Sequence, residues 1–189
     1  MIQNTTQKLM CGPLRLAALC GGLMLLSQGV SQAQTVSKDP AAAPFSIKAG
    51  VFVPQGRDVR RVGGDALFSV EGDYRLQVLP EGNSGNISYS ELSVGYTGDG
   101  NDFTMVPIQV AQIFHTPDSK YYYGAGLGIY VTQLKEDDTS HKVKGLFGGF
   151  LGVGMNTKGP LFGEVKYHWV SKYDQKYVGG FQVSVGLHL

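Results

Sequence analysis

Tyr121-Tyr122-Tyr123-Gly124-Ala125-Gly126-Leu127-Gly128-Ile129-Tyr130-Val131 splits into two faces when every second position is taken. Tyr121, Tyr123, Ala125, Leu127, Ile129 and Val131 make an apolar face. Tyr122, Gly124, Gly126, Gly128 and Tyr130 make the other, small in the middle and aromatic at its ends. Side chains alternate across a strand, so this is a two-faced β-strand. Its eleven residues suit a tilted strand crossing a bilayer, with the apolar side to lipid and the glycine side to a crowded barrel interior. A core strand of a soluble barrel or sandwich carries the same alternation, so the rest of the chain has to decide.

Outward from this segment, strand-like runs alternate with turn chemistry. Strands are expected over about 45–53, 66–78, 86–97, 102–114, 121–131, 145–156, 161–171 and 178–189. In the first, Phe45, Ile47, Ala49, Val51 and Val53 oppose Ser46, Lys48 and Gly50. In the last, Phe181, Val183, Val185, Leu187 and Leu189 oppose Gly180, Gln182, Ser184, Gly186 and His188. The alternation of the third strand slips near Ser90-Glu91, which a bulge in that strand would explain. Pro107 inside the fourth hints at another bulge, because proline cannot donate to the ladder. The segments 54–65 and 135–144 are expected as charged loops, and 80–85 as a turn. Eight strands in up-and-down order let a sheet close and remove its edges. The connections after strands one, five and seven are long and charged, whereas those after two, four and six are short. That asymmetry is typical of outer-membrane barrels. The 98–101 connection is short for its side.

Ahead of the strands, Lys8 and Arg15 precede the apolar run Leu16 to Leu26, and Ser31-Gln32-Ala33 offers a cleavage site. Such a run is sized for an export signal rather than a membrane span. The expected organisation is a signal peptide over 1–33, a Pro/Ala-rich linker over 34–44 and a barrel over 45–189. Cys11 and Cys20 both fall in the signal, so the mature chain carries neither a disulfide framework nor a thiol site. The chain has 16 basic and 15 acidic residues; removing Lys8 and Arg15 with the signal leaves 14 against 15, a net of −1. A nucleic-acid partner, which needs a basic surface, is not expected.

Inward-pointing positions are expected at Lys48, Glu71, Asp73, Arg75, Glu91, Glu164, Lys166 and His168. In a narrow barrel the interior is filled by side chains, so these charges are expected to pair with one another as a polar core. A narrow gated conduit is the functional alternative. An aromatic girdle is expected from Phe45, Tyr89, Phe114, Tyr121 and Tyr123 at one boundary and Tyr96, Trp169 and Tyr173 at the other, because such rings favour the membrane–water interface.

Tyr123-Gly124-Ala125-Gly126-Leu127-Gly128-Ile129-Tyr130, the stretch Phe162 to His168, the closing stretch Phe181 to Leu189 and Met105-Val106-Pro107-Ile108 resemble the small outer-membrane β-barrel proteins of Gram-negative-type bacteria, with an OmpA/OmpW/OmpX-like barrel domain. The resemblance covers roughly 45–189. It implies an all-β, eight-stranded antiparallel up-and-down transmembrane β-barrel in the outer membrane, with membrane lipid and the barrel-insertion machinery as partners, acting as a monomer. These barrels usually end in an aromatic residue; this chain ends in Leu189. Some eight-stranded barrels deacylate lipid A through a motif similar to Tyr-x-His-x-Ser-Asn. In Tyr167-His168-Trp169-Val170-Ser171-Lys172, Trp169 stands where the His belongs, and the nearest His falls on the opposite face, away from Ser171. Gly124 to Gly128 continues as a strand, unlike a dinucleotide-binding loop. No histidine pair has metal-ligand spacing, and Glu136-Asp137-Asp138 reads as a solvated loop. No catalytic residue, cofactor or metal is therefore expected. The expected role is structural, surface interaction or minor passage of small solutes. An exported soluble barrel holding a small apolar ligand is the alternative.

Overall fold

The computed structural model describes residues 43–81, 86–115, 119–137 and 140–189. The expected signal peptide, both cysteines and all of the linker but Ala43 and Pro44 lie outside the described residues. Eight strands follow one another: β1 (Phe45–Pro54), β2 (Leu67–Glu81), β3 (Asn86–Gly98), β4 (Phe103–His115), β5 (Tyr121–Asp137), β6 (Ser140–Asn156), β7 (Leu161–Val170) and β8 (Gly180–His188). One helix, α1 (Arg57–Gly63), sits between β1 and β2. Each strand pairs antiparallel with its sequence neighbours, and β8 returns to β1 from Ser46↔His188 to Pro54↔Gly180, closing the barrel.

Period-two alternation sorts side chains between the wall's two faces. Along β8, Gln182 and Ser184 are buried while Phe181, Val183 and Val185 are exposed. Along β5, Tyr122, Gly124, Gly126 and Tyr130 face inward, and Tyr121, Tyr123, Ala125, Leu127 and Ile129 face outward. Two aromatic-rich clusters fill the lumen at its ends. At the end reached after β1, β3, β5 and β7, Phe52, Leu67, Phe103, Met105, Leu134 and Tyr173 pack with Val59 of α1. Towards the opposite end lie Tyr89, Ala111, Ile113, Tyr122, Phe150 and Phe162.

Four local expectations need correction. The 54–65 segment contains α1 rather than only a charged loop. Its Val59 is fully buried in the first cluster, Asp58 in its first turn and Arg60 and Arg61 in its last suit the helix dipole, and seven residues are too few to show a helical period. The 135–144 loop is the tip of a long hairpin. Pairing continues from Thr132↔Lys144 through Lys135↔His141 to Asp137↔Ser140, because Thr132 and Leu134 keep the inward alternation and are fully buried. The bulge near Ser90 and Glu91 lies on the partner strand: pairing steps from Arg75↔Glu91 to Gln77↔Ser90, so Leu76 of β2 is the extra residue. Pro107 makes no bulge. Val94↔Ile108 and Thr97↔Met105 share one register, and the ladder skips only the pairs between them, where Pro107 has no N–H to give.

The short β3–β4 connection is stabilised by one carboxylate. Asp99 Oδ1 accepts from the backbone N–H groups of Asn101, Asp102 and Phe103, each at 3.0 Å, and Gly100 supplies a φ of 82°.

Tight packing of the wall makes a specific demand on β5. A Cβ at Gly128 would lie 2.1 Å from the Ile108 carbonyl oxygen and 2.7 Å from Gln109 Cα, whereas at Gly145 the nearest atom would be Ile129 Cγ2 at 3.7 Å. Gly128→Val should therefore destabilise the barrel by about 3 kcal/mol or more, and Gly145→Ala should leave it nearly unchanged. Urea titrations followed by the gel mobility of unheated samples measure both; equal stability of the two variants would contradict this packing.

Candidate functional site: an ionic interior within an apolar wall

The barrel's middle level is built by β1, β2, β3 and β7, whose inward positions carry most of its charges. Lys48 Nζ lies 2.8 Å from Glu164, 3.0 Å from Asp73 and 3.2 Å from Glu71. Lys166 Nζ lies 2.6 Å from Glu71 and 3.3 Å from Glu164. All five side chains are almost fully buried. Neutral donors complete the carboxylates. Ser46 donates to Asp73 at 2.9 Å, Ser93 places its one hydroxyl proton between Asp73, at 2.7 Å, and Glu71, and Tyr122 donates to Glu164 at 3.1 Å. Desolvating an ion costs several kcal/mol, and only such multiple pairing with hydrogen bonds offsets it.

His168 adjoins this cluster. Gln182 donates its Nε2 to Glu71 at 3.3 Å, which fixes its amide so that Oε1 faces His168 Nε2 at 3.0 Å. That oxygen can only accept, so Nε2 carries the proton and Nδ1 accepts from the Tyr130 hydroxyl at 3.0 Å. Tyr130 also reaches the Gly149 carbonyl at 3.0 Å and accepts from Gln109. Glu91 is buried and points inward between this level and the β2–β3 end. Arg75 is half-buried there, its guanidinium 4.0 Å from the Tyr89 ring centroid. Lys48, Glu71, Asp73, Glu164 and Lys166 are thus brought into one ion-paired group. Tyr122, Tyr130, Ser93 and Gln182 complete it; in the sequence only their inward parity marks them.

The expected girdle residues divide. Tyr121, Tyr123 and Trp169 are exposed on the outer wall, and Phe45, Tyr96 and Phe114 are half-buried, with Phe114 stacked on Tyr123 at 5.3 Å. Two expectations fail. Tyr89 is buried inside the lumen, stacked on His115 at 5.5 Å, because it shares the inward parity of Glu91 once the bulge belongs to β2. Tyr173 is fully buried and donates its hydroxyl to the Lys142 carbonyl at 2.7 Å, since the turn after β7 folds back over the lumen.

The outer wall is apolar all the way round. Every strand exposes at least one large aliphatic or aromatic side chain: Val51, Phe68, Leu92, Val110, Leu127, Phe147, Val165 and Val185 represent β1 to β8 in order. Charges inside and hydrocarbon outside invert the soluble pattern. The fold is that of a transmembrane β-barrel. Among the described residues no group of three His, Cys, Asp or Glu side chains could hold a metal ion. His168 and Ser171 do not meet, the first sealed within the lumen and the second exposed at its rim. At that rim Tyr167 contacts Gln55 at 3.2 Å and Tyr177 at 3.0 Å, and partial burial pushes the Tyr177 phenol up to about 12.

The chain is similar to two solved structures. The Yersinia pestis outer membrane protein Ail, in a phospholipid bilayer nanodisc, aligns over 78% of this chain and 99% of its own, with 14% identity and a TM-score of 0.47. Neisserial surface protein A aligns over 78% and 98%, with 14% identity and a TM-score of 0.45. No protein-family model and no curated protein matches the chain.

Removing one member of the ionic group should be costly. Lys166→Met leaves Glu71 and Glu164 sharing Lys48, and should lower stability by about 3–5 kcal/mol. Adding Glu71→Gln should restore part of that loss. Urea unfolding of protein in lipid vesicles measures both steps; a single variant as stable as the parent would show that the pairs contribute nothing.

Proposed function

We propose that this protein is a non-enzymatic outer-membrane β-barrel of a Gram-negative-type bacterium, acting in envelope structure and surface contact. One observation carries the proposal: a closed wall is apolar on all eight strands, while its lumen is filled by paired charges and aromatic side chains. Water would penalise that exterior, and hydrocarbon would not. Closure satisfies the backbone, as lipid requires.

Unequal ends support the outer membrane. One end carries α1, the long β5–β6 hairpin and the 171–179 segment; the other has connections such as 157–160. Bacterial outer-membrane barrels pair long external loops with short periplasmic turns. A packed lumen argues against both a roomy apolar pocket and free solute passage. The separation of His168 from Ser171 supports a role without hydrolysis. Partners on this reading are bilayer lipid and the barrel-insertion machinery.

Detergent extraction and planar bilayers test the proposal. The unboiled protein should migrate as a compact species, and the reconstituted protein should give no sustained conductance steps. Stable steps would assign it solute passage instead, and partition into the aqueous phase would remove it from the membrane.

A further inference from the structure

The apolar belt is interrupted by polar side chains where β3 meets β4. Outward positions are aliphatic, aromatic, Ala or Gly on β1 from Phe45 to Val53, on β2 from Phe68 to Leu76, on β5 from Tyr121 to Val131, on β6 from Gly145 to Met155, on β7 from Leu161 to Trp169 and on β8 from Phe181 to Leu187. β4 departs from this. Gln112 shares the outward parity of exposed Ile108 and Val110, while Ala111 and Ile113 on either side of it are buried in the lumen. Ser90 of β3 shares the outward parity of exposed Leu92 and lies directly opposite Gln112 in the ladder. The Ser90 hydroxyl donates to Gln112 Oε1 at 2.8 Å. The two N–H groups of the Gln112 amide have no acceptor among the described residues, and the side chain is half-buried on the wall's outer face.

On the membrane placement proposed above, the stacked rings of Phe114 and Tyr123 lie at the boundary, and Gln112 lies one outward step deeper. Acyl chains offer no acceptor there, and an amide donor left without one in hydrocarbon is costly. Ser90 holds the amide across the sheet, so it does not extend along β4 towards the headgroups. On the other flank the ladder sets Ala125 opposite Gln112, a small residue between exposed Tyr123 and Leu127, which lets a facing wall approach closely. A second copy of this chain supplies what is missing. A primary amide both donates and accepts, and Gln112 Oε1 keeps a lone pair after accepting from Ser90. We infer that the β3–β4 face is the interface of a homodimer within the membrane, in which the Gln112 amides of two copies exchange N–H···O=C bonds across a two-fold axis. Such an interface is self-complementary, as a two-fold dimer requires. The dimer replaces the monomer that the family resemblance implies, and the inference rests on the membrane placement.

Thiol cross-linking in phosphatidylcholine vesicles tests this. Val110→Cys places a thiol beside Gln112 on the outer face of β4, and Val185→Cys places one on the exposed face of β8, across the barrel. With a flexible bis-maleimide, Val110→Cys should yield covalent dimer increasingly as the protein-to-lipid ratio rises, whereas Val185→Cys should yield little at any ratio. Gln112→Leu added to Val110→Cys replaces the amide by a side chain suited to lipid, so the barrel should keep its folded mobility on unheated gels. It should raise the protein-to-lipid ratio needed for half-maximal dimer about tenfold, the factor for an interchain hydrogen bond in an apolar medium. Equal dimer yields at the two thiol positions, or a yield at Val110→Cys that Gln112→Leu leaves unchanged, overturn the inference. Protein that fails to float with the vesicles would instead refute the membrane placement itself.

Discussion

A strand crossing hydrocarbon must give every backbone N–H and C=O a partner, and a sheet meets that demand for all its strands only by closing. Closure at eight strands leaves a lumen just wide enough for side chains. The remaining architecture follows from this. Small residues at Gly124, Gly126 and Gly128 admit the bulk of Phe150 and the backbone of β4, and long polar side chains are forced together near the axis. The proline in β4 is tolerated because it interrupts only one of its two ladders; on the other, Pro107 keeps its register with Tyr130.

Charges confined there are almost fully buried and need partners from the protein. Lys48 and Lys166 therefore take carboxylates from β2 and β7 together, so that a single cluster ties strands far apart in sequence. Aromatic side chains close the lumen to either side of it, with α1 and Tyr173 at one end and Tyr89, Tyr122 and Phe162 towards the other. Interior filling and exterior greasiness are consequences of one closed wall, and they favour a role exerted at its rims and its lipid-facing surface over one exerted through its axis.

Much of this was legible in the residues because a strand's period of two survives single exceptions. The outward Val183 and Val185, the inward Glu164, Lys166 and His168, and the glycine face of β5 all follow from parity. What was not legible depends on partners. The extra residue between Arg75 and Gln77 is defined only against β3, so assigning the slip to β3 itself sent Tyr89 outward. Tyr173 looks like a boundary aromatic until the turn folds it onto the Lys142 carbonyl. The charged residues of the β5–β6 hairpin resemble a loop in the sequence, whereas Leu134 anchors the continuing strand within the lumen. The ionic group's polar residues were legible as inward, but not which carboxylate each lysine would meet.

The central claim is that one face of this wall meets hydrocarbon and the other meets buried charge. Single spin labels at Phe181, Gln182, Val183, Ser184 and Val185 along β8, in protein reconstituted in vesicles, test it most directly. Collision with dissolved oxygen should be high at Phe181, Val183 and Val185 and low at Gln182 and Ser184, with a water-soluble nickel complex reaching none of them at the bilayer's centre. Nickel access to Val183 and Val185 comparable to that of a loop position would contradict the account.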